Sequence, residues 1–171
     1  MRGRTALPMH LRVDVGAVRV GVVHGDAESL AGWAFSQEAF ATAEGARAVE
    51  RTFDEAGVDI FASSHTCLPV LQGFARDRVV VNNGAAGMPN FAGTRHGLLT
   101  RISARPYAGS ARAYGTRVAG VEVDAIRIDY DADRWLARFA ASWPQGSPAH
   151  ASYHRRMLEG PRHGLASAAP A

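Results

Sequence analysis

Three side chains with metal-binding chemistry stand where apolar runs break off. His24 ends the run VRVGVV and is followed at once by Gly25 and Asp26. His65 and Cys67 lie in FASSHTCLPV, just past the apolar VDIFA. Imidazole nitrogen and thiolate sulfur are donors for zinc, iron and manganese. Read singly, His24 is a loop histidine and Cys67 a small packed residue. Read together, the two histidines occupy equivalent places. Each follows a strand-like run, and they stand 41 positions apart with one helical pattern between them. Neighbouring strands joined by a crossover helix bring their ends to the same rim, where ligands gather in open α/β sheets. The expectation is a shared cation held by His24 and His65. Gly25 lets the backbone turn away from the rim, and Asp26 is placed to orient the loop that follows. A rival reading, Cys67 as nucleophile with His65 as base, lacks any mark of an oxyanion site.

The elements that must position these residues follow from periodicity. LRVDV (11–15) and VRVGVV (18–23) alternate, and Gly16-Ala17 between them suits a tight hairpin. Residues 38–56 carry Phe40, Ala43, Ala46, Val49 and Phe53 at helical spacing, closed by Gly57. Strands are expected at 58–62, 78–82, 97–102 and 121–130, with a long small-residue loop, NGAAGMPNFAG, after the second of them. Asn82-Asn83-Gly84 reads as a turn. Helices are expected at 131–141, with Asp131 as N-cap, and at 148–158, opening on Pro148. Trp33, Phe35 and Phe40 read as core, and His96 as a solvated loop histidine. Strand, helix, strand and then a run of strands indicate an α/β fold with a layered mixed β-sheet and flanking helices.

The VVHG and SHTC segments, with VNNGAAGMPNF after them, resemble the C-terminal half of the calcineurin-like metallophosphoesterases over about residues 10–130. The resemblance implies a metallophosphoesterase-like sandwich. It also implies hydrolysis of a phosphate ester by a metal-bound hydroxide. His24 matches that family's lone fourth-block histidine and His65 the first histidine of its fifth block. Cys67 stands where the family has a second histidine, so the resemblance implies its thiolate as a further metal ligand. The divalent ions implied are Mn, Fe or Zn, here at a single weak site. The family's earlier blocks, Asp-x-His, Gly-Asp-x-x-Asp and Gly-Asn-His-Asp/Glu, do not occur in this chain. The expectation is therefore a partial, N-terminally truncated phosphoesterase domain over 1–160 and a flexible tail over 161–171. As this chain it would be weakly active or inactive. The alternative is a non-catalytic remnant acting as a binding or interaction domain.

Composition bounds the rest. The chain has 171 residues, 47% hydrophobic and 20% charged, which suits one folded domain with a core. All 19 basic residues are arginine; they are scattered, net charge is +3, and no basic stripe forms a nucleic-acid groove. No apolar run approaches the length of a membrane span, and no apolar leader segment follows the first arginines. One cysteine excludes an intrachain disulfide. A cytoplasmic setting and a phosphorylated small molecule or other phosphoester substrate are expected. So is self-association through exposed strand edges, because the missing half would otherwise cover them.

Overall fold

The structure, a computed structural model, describes residues 8–169; the leader reading and the end of the tail fall partly outside them. The chain opens with β1 (His10–Val15) and β2 (Val18–Val23), antiparallel across a two-residue turn. Gly16 sits there at φ +57, a conformation costly for residues bearing a Cβ. After a short α1 (Gln37–Phe40) and the longer α2 (Ala43–Ala56) comes β3 (Ile60–Ser63). It lies parallel to β2, so α2 is the expected crossover. The helix expected at 38–56 is broken at Thr42. Its hydroxyl accepts from Gly45 N and starts α2 anew, and a Cβ on Gly45 would strike Ala39 O. Gly57 caps α2 at φ +60.

β4 (Pro69–Phe74) and β5 (Arg78–Asn83) form a hairpin, and β5 runs parallel to β3. The first sheet therefore has the order β1-β2-β3-β5-β4. A second, antiparallel sheet has β6 (Gly97–Ser103), β7 (Arg112–Val118) and β8 (Val121–Ile128) in the order β6-β8-β7. Three helices follow: α3 (Ala132–Ser142), α4 (Pro148–Glu159) and α5 (Leu165–Ala168). The Asp131 carboxylate accepts from Arg134 N, and Pro148 opens α4, both as expected.

The layered α/β class and its mixed sheet are as expected. β4 and β7 were not. Pro69 heads β4, which survives because it is an edge strand where a missing N–H costs no ladder bond. β7 is interrupted by Gly115 and a register shift, which hides its alternation. Two cores result. Val18, Val20, Ile60, Val81, Val121 and Val123 fill the space between the sheets. Phe35, Val49, Phe53 and Phe61 pack α2 onto the first sheet's other face. The segment expected as a flexible tail is anchored through residue 169. Ala168 is fully buried, and the buried His163 stacks on Phe91 and donates through Nε2 to Pro69 O at 2.9 Å. Burial of small side chains holds this segment, a signal that alanine-rich composition does not reveal.

Candidate metal centre

The parallel pair β2 and β3 delivers the two histidines to one rim. His24 is the first residue after β2, and His65 lies two residues beyond β3. The backbone then locks them together. The carbonyl of His24 accepts from Ser64 N at 3.0 Å and from His65 N at 2.7 Å. His65 Nδ1 lies 3.4 Å from His24 Nε2, with the ring centroids 5.2 Å apart and the planes at 70°. His24 is exposed and His65 half-buried, so the pair is open to solvent on one side.

A separation of 3.4 Å is long for a hydrogen bond between ring nitrogens. It does match what a shared ion requires: nitrogens about 2.0–2.1 Å from a tetrahedral zinc lie about 3.3–3.4 Å from each other. The pair thus fits two corners of a coordination shell. Cys67 does not complete a three-donor group. Among the described residues no three His, Cys, Asp or Glu side chains converge to hold a metal. Residues 65–66 form a turn rather than a strand end, and Cys67 lies in the left-handed region at φ 55. The regular alternation that would aim His65 and Cys67 the same way is therefore lost.

The loop after His24 is organised by Asp26. Its Oδ1 accepts from Glu28 N at 3.0 Å and Ser29 N at 2.9 Å, and its Oδ2 accepts from Ala34 N at 3.1 Å. Gly25 is needed for space rather than for a positive φ: a Cβ there would run into Ser29 O and Gly32 N. The loop so formed lays Trp33 edge-on against His65, with centroids 5.6 Å apart. Trp33, expected in the core, is 58% exposed; Phe35 is buried and Phe40 packs against the α2 core as expected.

Two further residues brace the His65 turn. Asn82, buried at the end of β5, donates through Nδ2 to Thr66 Oγ1 at 3.0 Å and accepts from Gly84 N at 2.8 Å. The turn expected at 82–84 is instead strand through Asn83, and the chain leaves β5 at Gly84, φ +66, whose N–H this second contact holds. Arg156 on α4 donates to the carbonyl of Cys67. Sequence reasoning missed Trp33 and Arg156 as neighbours of the site, since only the fold brings their elements to the rim. His96 is half-buried rather than fully solvated, and its imidazole is driven toward the neutral form, first by burial and then by Arg127.

No family model matches the chain, and no curated protein matches it either. Solved structures do. A hypothetical protein from Pyrococcus horikoshii OT3 is similar over 92% of this chain and 53% of its own length, at 14% identity and a TM-score of 0.56. A metallophosphoesterase from Sphaerobacter thermophilus is similar over 91% of this chain and 59% of its own, at 18% identity and a TM-score of 0.49. A predicted phosphoesterase from Streptococcus pneumoniae is similar over 75% of this chain and 61% of its own, at 16% identity and a TM-score of 0.45. The chain spans a little over half the length of these structures. At such identities the likeness is one of fold: this chain shares the layered α/β arrangement, mixed sheet and flanking helices of the Pyrococcus protein. No helix among the described residues is long and apolar enough to cross a membrane.

Proposed function

We propose that the rim between β2 and β3 is part of a phosphoesterase-type metal site, with His24 and His65 as ligands of one divalent cation. The observation that carries this reading is the 3.4 Å separation of His24 Nε2 and His65 Nδ1. Backbone hydrogen bonds from Ser64 and His65 to the His24 carbonyl bring the two positions together, and the side-chain rotamers set the spacing of the ring nitrogens. When bound, a Zn, Mn or Fe ion would supply Lewis acidity toward a phosphate oxygen. The chain's own residues hold the imidazoles at ligand spacing, shield one side of His65 with Trp33, and brace its turn through Asn82 and Arg156. Two neutral donors without a carboxylate bind a cation weakly and leave much of its charge uncompensated. The 171-residue chain is therefore expected to hydrolyse phosphate esters slowly or not at all. A phosphoester remains the proposed ligand class.

A second reading is a binding module without turnover, favoured by the uncovered apolar face of β1 and β2. Titration of the purified chain with Zn²⁺ and Mn²⁺, followed by calorimetry, tests the metal reading. One ion bound per chain is expected, with binding lost in His24→Ala and in His65→Ala while both variants keep the wild-type circular dichroism. Binding unchanged in both variants would refute it. Metal-dependent p-nitrophenyl phosphate turnover that is lost in both variants would favour the first reading over the second.

A further inference from the structure

We infer that β1 is a pairing edge for a second copy of this chain, forming an antiparallel, two-fold symmetric continuation of the first sheet centred on Val13. β1 is the outermost strand of that sheet, and among the described residues nothing pairs with its other side. Its side chains divide cleanly between the two faces. Leu11, Val13 and Val15 stand opposite Val22, Val20 and Val18 and share their face. Val18 and Val20 are buried against Val121 and Val123 of the second sheet, so this is the inner face of the sandwich. The second sheet covers the turn end of the hairpin and stops. Leu11 is left 51% exposed, Val13 44% and Val22 38%. An apolar stripe along an unpaired edge is the surface that strand addition uses.

The occupant follows from the register. A two-residue hairpin closes on the hydrogen-bonded pair Val15 and Val18, so the backbone groups of residues 11, 13 and 15 face β2. Those of His10, Arg12 and Asp14 face the free edge. A two-fold axis at Val13 sets Arg12 of one copy opposite Asp14 of the other, twice, and both residues have their N–H and C=O groups pointing across the gap. The same axis sets Leu11 opposite Val15 and Val13 opposite Val13, all on the inner face. Centring the axis on Arg12 opposes two guanidiniums, and centring it on Asp14 opposes two carboxylates, which disfavours both alternatives. The strand HLRVDV is thus complementary to itself in one antiparallel register, as an isologous interface requires. Arg19 contacts Asp14 Oδ1 at 3.4 Å, a long and exposed contact that an incoming guanidinium can share.

Light scattering coupled to size exclusion, run across a micromolar concentration series of the 171-residue chain, tests this without reference to metal. A discrete dimer whose fraction rises with concentration is expected. Arg12→Glu places like charges opposite each other at two points and should raise the dimer dissociation constant about tenfold or more. The charge swap Arg12→Asp with Asp14→Arg restores opposite charges and should restore the dimer, which also shows that the strand still folds. A chain that stays monomeric throughout, a single variant that dimerises like wild type, or a swap that fails to recover the dimer would each overturn the proposal.

Discussion

Replacing Asp26 with alanine tests whether one carboxylate builds the loop beside the histidines. The side chain accepts from three backbone N–H groups, those of Glu28, Ser29 and Ala34. The loop is partly exposed, so the freed donors regain water. Each bond is then worth about 1 kcal/mol net rather than its full charge-assisted value, or about 2–3 kcal/mol for the set. For a domain of this size that corresponds to a fall in melting temperature of about 4–12 °C. Asp26→Asn keeps the Oδ1 acceptor and with it two of the three bonds, so it should lose only about 1 kcal/mol. Urea denaturation of the wild type and both variants measures the difference. The Ala variant should also displace Trp33 from His65, changing the fluorescence of a chain in which Trp135 and Trp143 have been replaced by phenylalanine. An Ala variant within about 0.5 kcal/mol of wild type, or an Asn variant as damaged as the Ala variant, would refute this account of the loop.

Three other outcomes follow from packing and charge. Gly32→Ala puts a methyl group into the Asp26 carboxylate, so it should destabilise the wild type but cost far less in the Asp26→Ala background, a non-additivity that a double-mutant cycle reads directly. Asp124 is buried between Arg101, at 2.8 Å, and Arg112, at 2.7 Å. Asp124→Ala should cost about 2–4 kcal/mol in urea denaturation, the half-exposed guanidiniums turning into water and sparing the rest. The Tyr114 hydroxyl is buried with no hydrogen-bond partner among the described residues, so Tyr114→Phe should be neutral or stabilise by up to about 1 kcal/mol at pH 7. Burial raises the Tyr114 ionisation above its usual value of 10.0. Its protonated phenol therefore favours the fold fully below pH 10, and that contribution is lost as pH climbs beyond it. The wild type should lose stability relative to the Phe variant between pH 9 and pH 11, as paired denaturation curves would show.

How much was legible in the residues depended on whether the determining force was local. The β1–β2 hairpin, the Gly57 cap and the Asp131 cap are set by neighbouring residues, and all three appear where the pattern indicates. The meeting of His24 and His65 was legible too, because a strand–helix–strand unit leaves little choice of rim. β4 and β7 were not, since a leading proline and a central glycine erase alternation that long-range pairing supplies anyway. Cys67 shows the limit within the site. Its spacing from His65 suggested a common direction, yet a turn and a left-handed backbone intervene. Trp33 reads as core by composition and is surface by position, in a loop whose next residue, Ala34, donates its N–H to Asp26 Oδ2.

The doubly hydrogen-bonded carbonyl of His24 has an evolutionary consequence. Peptide groups, not imidazoles, fix where positions 24 and 65 stand. Side-chain identity at either place can drift without unfolding the protein, so the donor chemistry of this rim can change one substitution at a time on an unaltered scaffold.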